Sequence, residues 1–295
     1  MRFRTYASFI QLEHTVFSLP LIFAGMWLHS RRWPQVGLLG WVLLAAVGAR
    51  VVAMGLNRLI DAEIDARNPR TQRRELPRGA MQRREAWIIV TIAGALYLIS
   101  AAAIAPICLW LSPVPVALFV IYPYLKRFTS FAHLGLGLAW SMAPLGGWVA
   151  AAAYSSRAAV PSGVEGLAAS RSLAHIGEIG WLWLFSLLWV AGFDIIYATM
   201  DEAFDRAEGL HSLPAWLGKQ PALRIAALLH LLAFSALAIL WHTQLRSPIA
   251  LAWLLGIGIL FLWQHAVALR NPEFAFFQLN GLLGFLVFGF IVAGI

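Results

Sequence analysis

The stretch 57-NRLIDAEIDARN-68 sets Asn57, Asp61, Glu63 and Asp65 within nine residues of a chain that is 60% hydrophobic and only 12% charged. On a helix, positions four apart differ by about 40°, so Asn57, Asp61 and Asp65 share one face. A second stretch, 194-DIIYATMDEAFD-205, repeats the design. Asp194, Tyr197, Asp201 and Asp205 stand at i, i+3, i+7 and i+11, again one stripe. These two segments hold every aspartate of the chain, and each lies at the end of a long apolar run.

Those runs set the fold class. Mean hydropathy is +0.73, outside the range of water-soluble domains. Nine apolar runs, at about 14–30, 36–56, 86–105, 107–125, 131–153, 179–198, 223–241, 248–269 and 276–294, are each of a length to cross a bilayer. The sequence therefore predicts an all-α polytopic membrane protein, a bundle of about nine transmembrane helices around a central cavity. No polar linker divides it, so residues 1–295 read as one transmembrane domain. The fourth run contains "SPVP" and is expected to kink. The first run follows Arg2 and Arg4 and lacks a small-residue cleavage site, so it reads as a span.

The net charge of +8 is mostly orientation signal. With the N-terminus in the cytoplasm, sixteen Lys and Arg lie on the inner side and five on the outer, with Arg50 inside the second run. That distribution makes a nucleic-acid partner unnecessary and puts both acidic stretches on the cytoplasmic side of the cytoplasmic membrane. The single cysteine, Cys108, lies in an apolar run and reads as a packing residue.

A carboxylate inside a span costs about 2.5–3.5 kcal/mol on insertion scales, so intramembrane acids mark pathways or sites. Asp194, within "LLWVAGFDIIYA", is expected to face a polar cavity. Clustered oxygen donors suit a hard divalent cation such as Mg2+, which keeps open positions for phosphate oxygens. No His or Cys spacing favours zinc. Cations flank the acids: Arg50 on the face of Asn57, Arg70 and Arg74 after the first stretch, and Lys126 and Arg127 in "YPYLKRF". Metal plus Arg and Lys at a helix-lined cavity implies a substrate with a diphosphate head and a hydrophobic tail.

"NRLIDAEIDARNPRT", "DIIYATMDEAFD" and "YPYLKRFTSFAHLGLGLAWSMAPLGGW" resemble the motifs of the UbiA superfamily of intramembrane prenyltransferases. The resemblance implies that Asn57, Asp61 and Asp65 hold one Mg2+ and that Asp201 and Asp205 hold a second. It implies further that Lys126, Arg70 and Arg74 contact the diphosphate of a polyprenyl diphosphate, with Asp194 and Tyr197 beside an aromatic acid acceptor. Arg50 then faces either the acceptor carboxylate or the diphosphate. The sequence departs from the family at Glu75, where a proline is expected. Its first helix and "RRELPRG" resemble the branch of the futalosine route to menaquinone, which leaves the acceptor open between 4-hydroxybenzoate and a dihydroxynaphthoate.

The chemistry expected is ionisation of the allylic diphosphate and attack by the aromatic ring, with Asp194 polarising the acceptor or taking its proton. Two other readings stand beside it: a haem- or chlorophyll-type prenyltransferase of the same fold, and a transporter, which predicts acids near the membrane midplane. His14, His133 and His211 read as packing residues, and Asn280 as a cavity or capping residue.

Overall fold

The structure, a computed structural model, describes residues 2–11, 15–159 and 176–295. His14 and most of the long outer connection read from the sequence lie outside them. The described helices are α1 (Arg2–Ile10), α2 (Thr15–Ser30), α3 (Val36–Ile60), α4 (Ala62–Arg67), α5 (Arg83–Ile104), α6 (Pro106–Leu111), α7 (Pro113–Leu125), α8 (Ala132–Ala159), α9 (Gly180–Ala198), α10 (Glu202–Ala207), α11 (Leu213–Leu217), α12 (Lys219–Leu240), α13 (Pro248–Ala268) and α14 (Pro272–Gly294). Among the described residues there is no strand.

Among the described residues, eight segments are long and apolar enough to cross a membrane. The ninth run is α2, whose 16 residues rise about 24 Å. The fourth run is one span made of two helices, α6 and α7. It breaks at Ser112, whose hydroxyl turns back to the Leu109 carbonyl at 2.7 Å, and Pro113 starts the second half. The chain is a polytopic helical membrane protein. Side chains such as Trp110, Ile259 and Leu262 are 80%, 68% and 75% exposed, which places them against lipid.

Local sequence explains several helix starts. Ser212, Ser247 and Asn271 each accept a hydrogen bond from a backbone N–H three residues on, at 3.2, 3.4 and 3.0 Å. A proline follows within two positions each time, where its missing N–H costs nothing. Gln82 and Glu85 form a capping box that opens α5.

Packing runs around a ring. α3 lies on α5 and α7, α7 on α8, α8 on α2 and α9, and α14 on α2 and α9, while α12 and α13 stand outside. The α2–α8 seam is the tightest. A Cβ on Gly25 would sit 2.0 Å from the Pro144 carbonyl oxygen, and one on Gly147 would sit 2.1 Å from that of Ile22. Small residues let these backbones touch, as membrane helices require for close association. The ring encloses one long cavity.

Helix α1 was not anticipated. Ser8 donates to Glu75 at 2.6 Å and Tyr6 to Glu85 at 2.9 Å, and Phe9 is fully buried. Glu75 also forms a buried ion pair with Arg58, near the C-terminal end of α3. This accounts for the departure from proline: the carboxylate answers a buried guanidinium and pins α1 to the loop.

Candidate active site

The two acidic stretches share a backbone design that differs from the unbroken stripe expected. Each long helix stops just before an aspartate, Asp61 after α3 and Asp201 after α9. Asp61 has φ −93° and ψ 4°, and Asp201 has φ −107° and ψ 4°. Each then opens a six-residue helix, α4 or α10, and accepts from the N–H of the aspartate four residues on, at 2.8 Å in both cases. The second pair of carboxylates, Asp65 and Asp205, is thereby set one turn beyond the first.

The two tips are joined directly. The Asn68 amide donates to Asp201 at 2.9 Å, and Arg70 forks both carboxylate oxygens of Asp201 while reaching the Tyr197 hydroxyl. Its guanidinium lies 4.5 Å from the Tyr197 ring centroid. Farther out, Arg67 pairs with Glu208 at 2.8 Å. On the other flank Lys126 bonds Asp61 at 2.6 Å, and its own carbonyl accepts from the His211 N–H at 2.7 Å. Arg74 holds Asp65 at 2.7 Å, and Asn57 donates to Asp61 at 3.4 Å. Carboxylates and cations alternate across the gap.

These side chains close one end of a cavity of about 640 Å³. Much of the rest of its wall is apolar, with small residues such as Ala45, Ala49, Ala139 and Ala143 beside the rings of Phe119, Trp140 and Phe276. Asn57, Asp61, Asp65, Arg70, Arg74, Lys126, Tyr197, Asp201 and Asp205 line the charged end, and Arg50 and Asp194 line the cavity too. Arg50 lies about 10 Å deeper along α3 than Asn57. Its Nε has no hydrogen-bond partner, and its guanidinium faces the Trp140 ring at 5.3 Å. Arg127 is different. It does not line the cavity; it donates to the Ile60 carbonyl at 2.9 Å and to Asp61 at 3.4 Å, and so caps α3 from behind.

Charge at the tips is uneven. Burial raises the Asp61 carboxyl above the usual carboxylate range, and Lys126 only partly offsets it. Burial likewise raises Asp205, against a hydrogen bond from Ser212. At Asp201 burial acts in the same direction but is outweighed by Arg70 and Asn68, so its pKa lies below the usual value. Arg70 is raised in turn: burial lowers it, and its bonds to Asp201 and Tyr197 prevail.

Sequence reading missed several polar residues. Asn68 is one of the links between tips. Tyr122 lines the cavity. His133 is buried and sits 2.7 Å from Asp194, so it is more than packing. Asn280, read from the sequence as a cavity or capping residue, lines the cavity and accepts from the Trp189 indole at 2.9 Å and the Gln264 amide at 3.0 Å.

The UbiA prenyltransferase family profile matches residues 18–293. The chain belongs to that family. It is a membrane prenyltransferase. The 4-hydroxybenzoate octaprenyltransferase of Sodalis glossinidius (strain morsitans) is 29% identical over 298 residues, covering 97% of this chain and 94% of the relative. That of Blochmanniella pennsylvanica (strain BPEN) is 27% identical over 268 residues, 90% and 85% of the two chains. Among solved structures, the UbiA homolog from Aeropyrum pernix K1 superposes with a TM-score of 0.77 at 34% identity, covering 93% of this chain and 95% of that one. The UbiA homolog from Archaeoglobus fulgidus bound to GPP and Mg2+ shares the fold, with a TM-score of 0.68 at 18% identity over 99% of this chain and all of that one.

The donors fit a hard cation. All are oxygens, on Asn57, Asp61, Asp65, Asp201 and Asp205, which is the chemistry Mg2+ selects. Among the described residues no three His, Cys, Asp or Glu groups form a ready-made cage.

Proposed function

We propose that this UbiA-family enzyme, one transmembrane unit spanning residues 1–295, transfers a polyprenyl group from polyprenyl diphosphate to an aromatic acid. The acceptor is 4-hydroxybenzoate or a dihydroxynaphthoate, and the reaction serves quinone synthesis at the cytoplasmic side of the cytoplasmic membrane. The observation that carries the reading is the direct pairing of two acidic tips at the mouth of an apolar cavity. A head with three or more negative charges belongs at the tips, and a long tail belongs in the cavity. The relatives' names and the neighbour holding GPP with Mg2+ support the same substrate class.

Two Mg2+ ions, one with Asn57, Asp61 and Asp65 and one with Asp201 and Asp205, would supply electrophilic stabilisation of the leaving diphosphate. Lys126, Arg70 and Arg74 already point at the gap, each on a carboxylate. Diphosphate binding exchanges those carboxylates for phosphate oxygens, so the same cations neutralise charge as the allylic C–O bond breaks. The cavity wall keeps water from the allylic cation. Arg50 lies too deep for the diphosphate and has no carboxylate of its own, so it takes the acceptor carboxylate, with Trp140 beneath the ring. The ring carbon ortho to the hydroxyl attacks, and Asp194 receives the proton. Tyr197 and Arg70 divide the acceptor from the diphosphate. The family match sets the transporter reading aside.

The test is turnover of a labelled prenyl diphosphate in membranes, with 4-hydroxybenzoate and dihydroxynaphthoates offered in parallel and products identified by mass. Mg2+ supports it and chelation stops it. Asp61→Ala and Asp201→Ala insert and fold but do not turn over. Wild-type rates in both purified variants refute the metal assignment.

A further inference from the structure

His133 opens α8, and each of its ring nitrogens has a partner. Nε2 accepts from the backbone N–H of Leu213 at 3.3 Å, which leaves no room for a proton there. The proton is therefore on Nδ1, which donates to Asp194 at 2.7 Å. His133 is 4% exposed. Asp194 is on α9, where a carboxylate at a largely apolar wall has few anchors. Left free, it would swing toward the cations of the charged end. The imidazole holds one of its oxygens, and the carboxylate lines the cavity.

We infer that His133 is a positioning residue for the ring-substitution step: its Nδ1–H fixes Asp194 as the proton acceptor, and its Nε2 ties that orientation to the 211–213 segment. That segment is already anchored on Lys126 through the His211 N–H. The acceptor side of the cavity and the diphosphate side thus share one loop. As the acceptor ring loses its proton, Asp194 Oδ gains it. The electrons of the broken C–H bond restore aromaticity, and no redox partner is needed. His133 never touches substrate in this scheme. It acts only through Asp194, so the inference rests on the role given to Asp194 above.

The experiment compares purified His133→Leu, His133→Asn, His133→Gln and Asp194→Asn, alone and as the double variant His133→Leu/Asp194→Asn, in steady-state assays with each substrate varied. An asparagine amide can stand where Nδ1 stands; a glutamine amide reaches one bond farther and misses it. His133→Leu lowers kcat about 10- to 100-fold, the worth of a hydrogen bond to a charged group, with KM for prenyl diphosphate within about twofold. His133→Asn recovers most of that loss and His133→Gln does not. The double variant is no slower than Asp194→Asn, because the two residues act as one unit. Wild-type kcat in His133→Leu with an inactive Asp194→Asn overturns the positioning role and leaves Asp194 in place. Full activity in Asp194→Asn overturns the reading of Asp194 itself. If the leucine variant does not fold, equal rates in the Asn and Gln variants overturn the proposal.

Discussion

Gly146 offers a way to measure where the prenyl tail lies. It lines the cavity, and a Cβ built on it meets nothing within 4 Å, whereas its neighbour Gly147 abuts the α2 backbone. It stands thirteen residues beyond His133 on α8, about 20 Å of helix rise. A saturated chain advances about 1.3 Å per bond, so each isoprene unit covers about 5 Å and about four units reach Gly146. Gly146→Leu places a branched four-carbon side chain in that path. The tail comes from lipid, so no hydrophobic transfer energy is at stake. The effect is steric overpacking, worth about 1–3 kcal/mol. In kcat/KM this is about a 5- to 150-fold loss for donors of four or more units, and none for a two-unit donor. The assay runs the variant against a series of prenyl diphosphates of increasing length, with Gly146→Ala as a control. Unchanged kcat/KM for the long donors, or an equal loss for the two-unit donor, refutes the placement of the tail along α8.

Other expectations follow from charge. Glu75→Gln leaves the buried Arg58 guanidinium without its ion-pair partner, a loss of about 3–5 kcal/mol of stability. It is read as a lower unfolding temperature in detergent, and Arg58→Met/Glu75→Leu recovers most of it. The neighbours Asp201 and Asp205 behave oppositely with pH. Asp201, its pKa held below the usual carboxylate range by Arg70, stabilises the fold above that range, and this is lost as pH falls through its lowered pKa; Asp201→Asn is therefore less stable than wild type at pH 7, with the gap closing in acid. Asp205, raised by burial, penalises the charged fold at neutral pH and ceases to do so as pH falls through its raised pKa. Asp205→Asn is then at least as stable as wild type at pH 7, and the wild type gains on it in acid. Thermal unfolding across pH separates the two, and variants shifting in the same direction would contradict the electrostatic picture.

How much of this was legible in the sequence differs from element to element. Apolar run length gave the spans and the broken fourth helix, because crossing lipid leaves the backbone few choices. Spacing gave the two acidic faces, and burial of Asp194 in an apolar run gave its cavity. The helix breaks at Asp61 and Asp201 were not legible, since a periodic pattern continues smoothly through one changed turn. Helix α1 escaped because nine amphipathic residues carry too weak a signal. Its anchor, Glu75, is an oddity in the sequence and becomes explicable only once Arg58 is seen beside it. Arg127 and Lys126 are adjacent in "YPYLKRF" and look alike, yet the turn that ends α7 sends Lys126 to the cavity and Arg127 to the back of α3. His133 is a lone histidine until folding brings Asp194, sixty-one residues away, to its ring.

The repeated turn at Asp61 and Asp201 has one more implication. Two prongs cast in the same mould do not grip alike, because their surroundings share no symmetry. The prong at Asp201 keeps its negative charge readily, whereas the one at Asp61 is reluctant to ionise. A dication at these tips would therefore meet unequal partners: Asp201, already forked by a guanidinium, and Asp61, whose charge burial disfavours. Copying a bend in the chain copies a shape; loading order and strength are written by the neighbours.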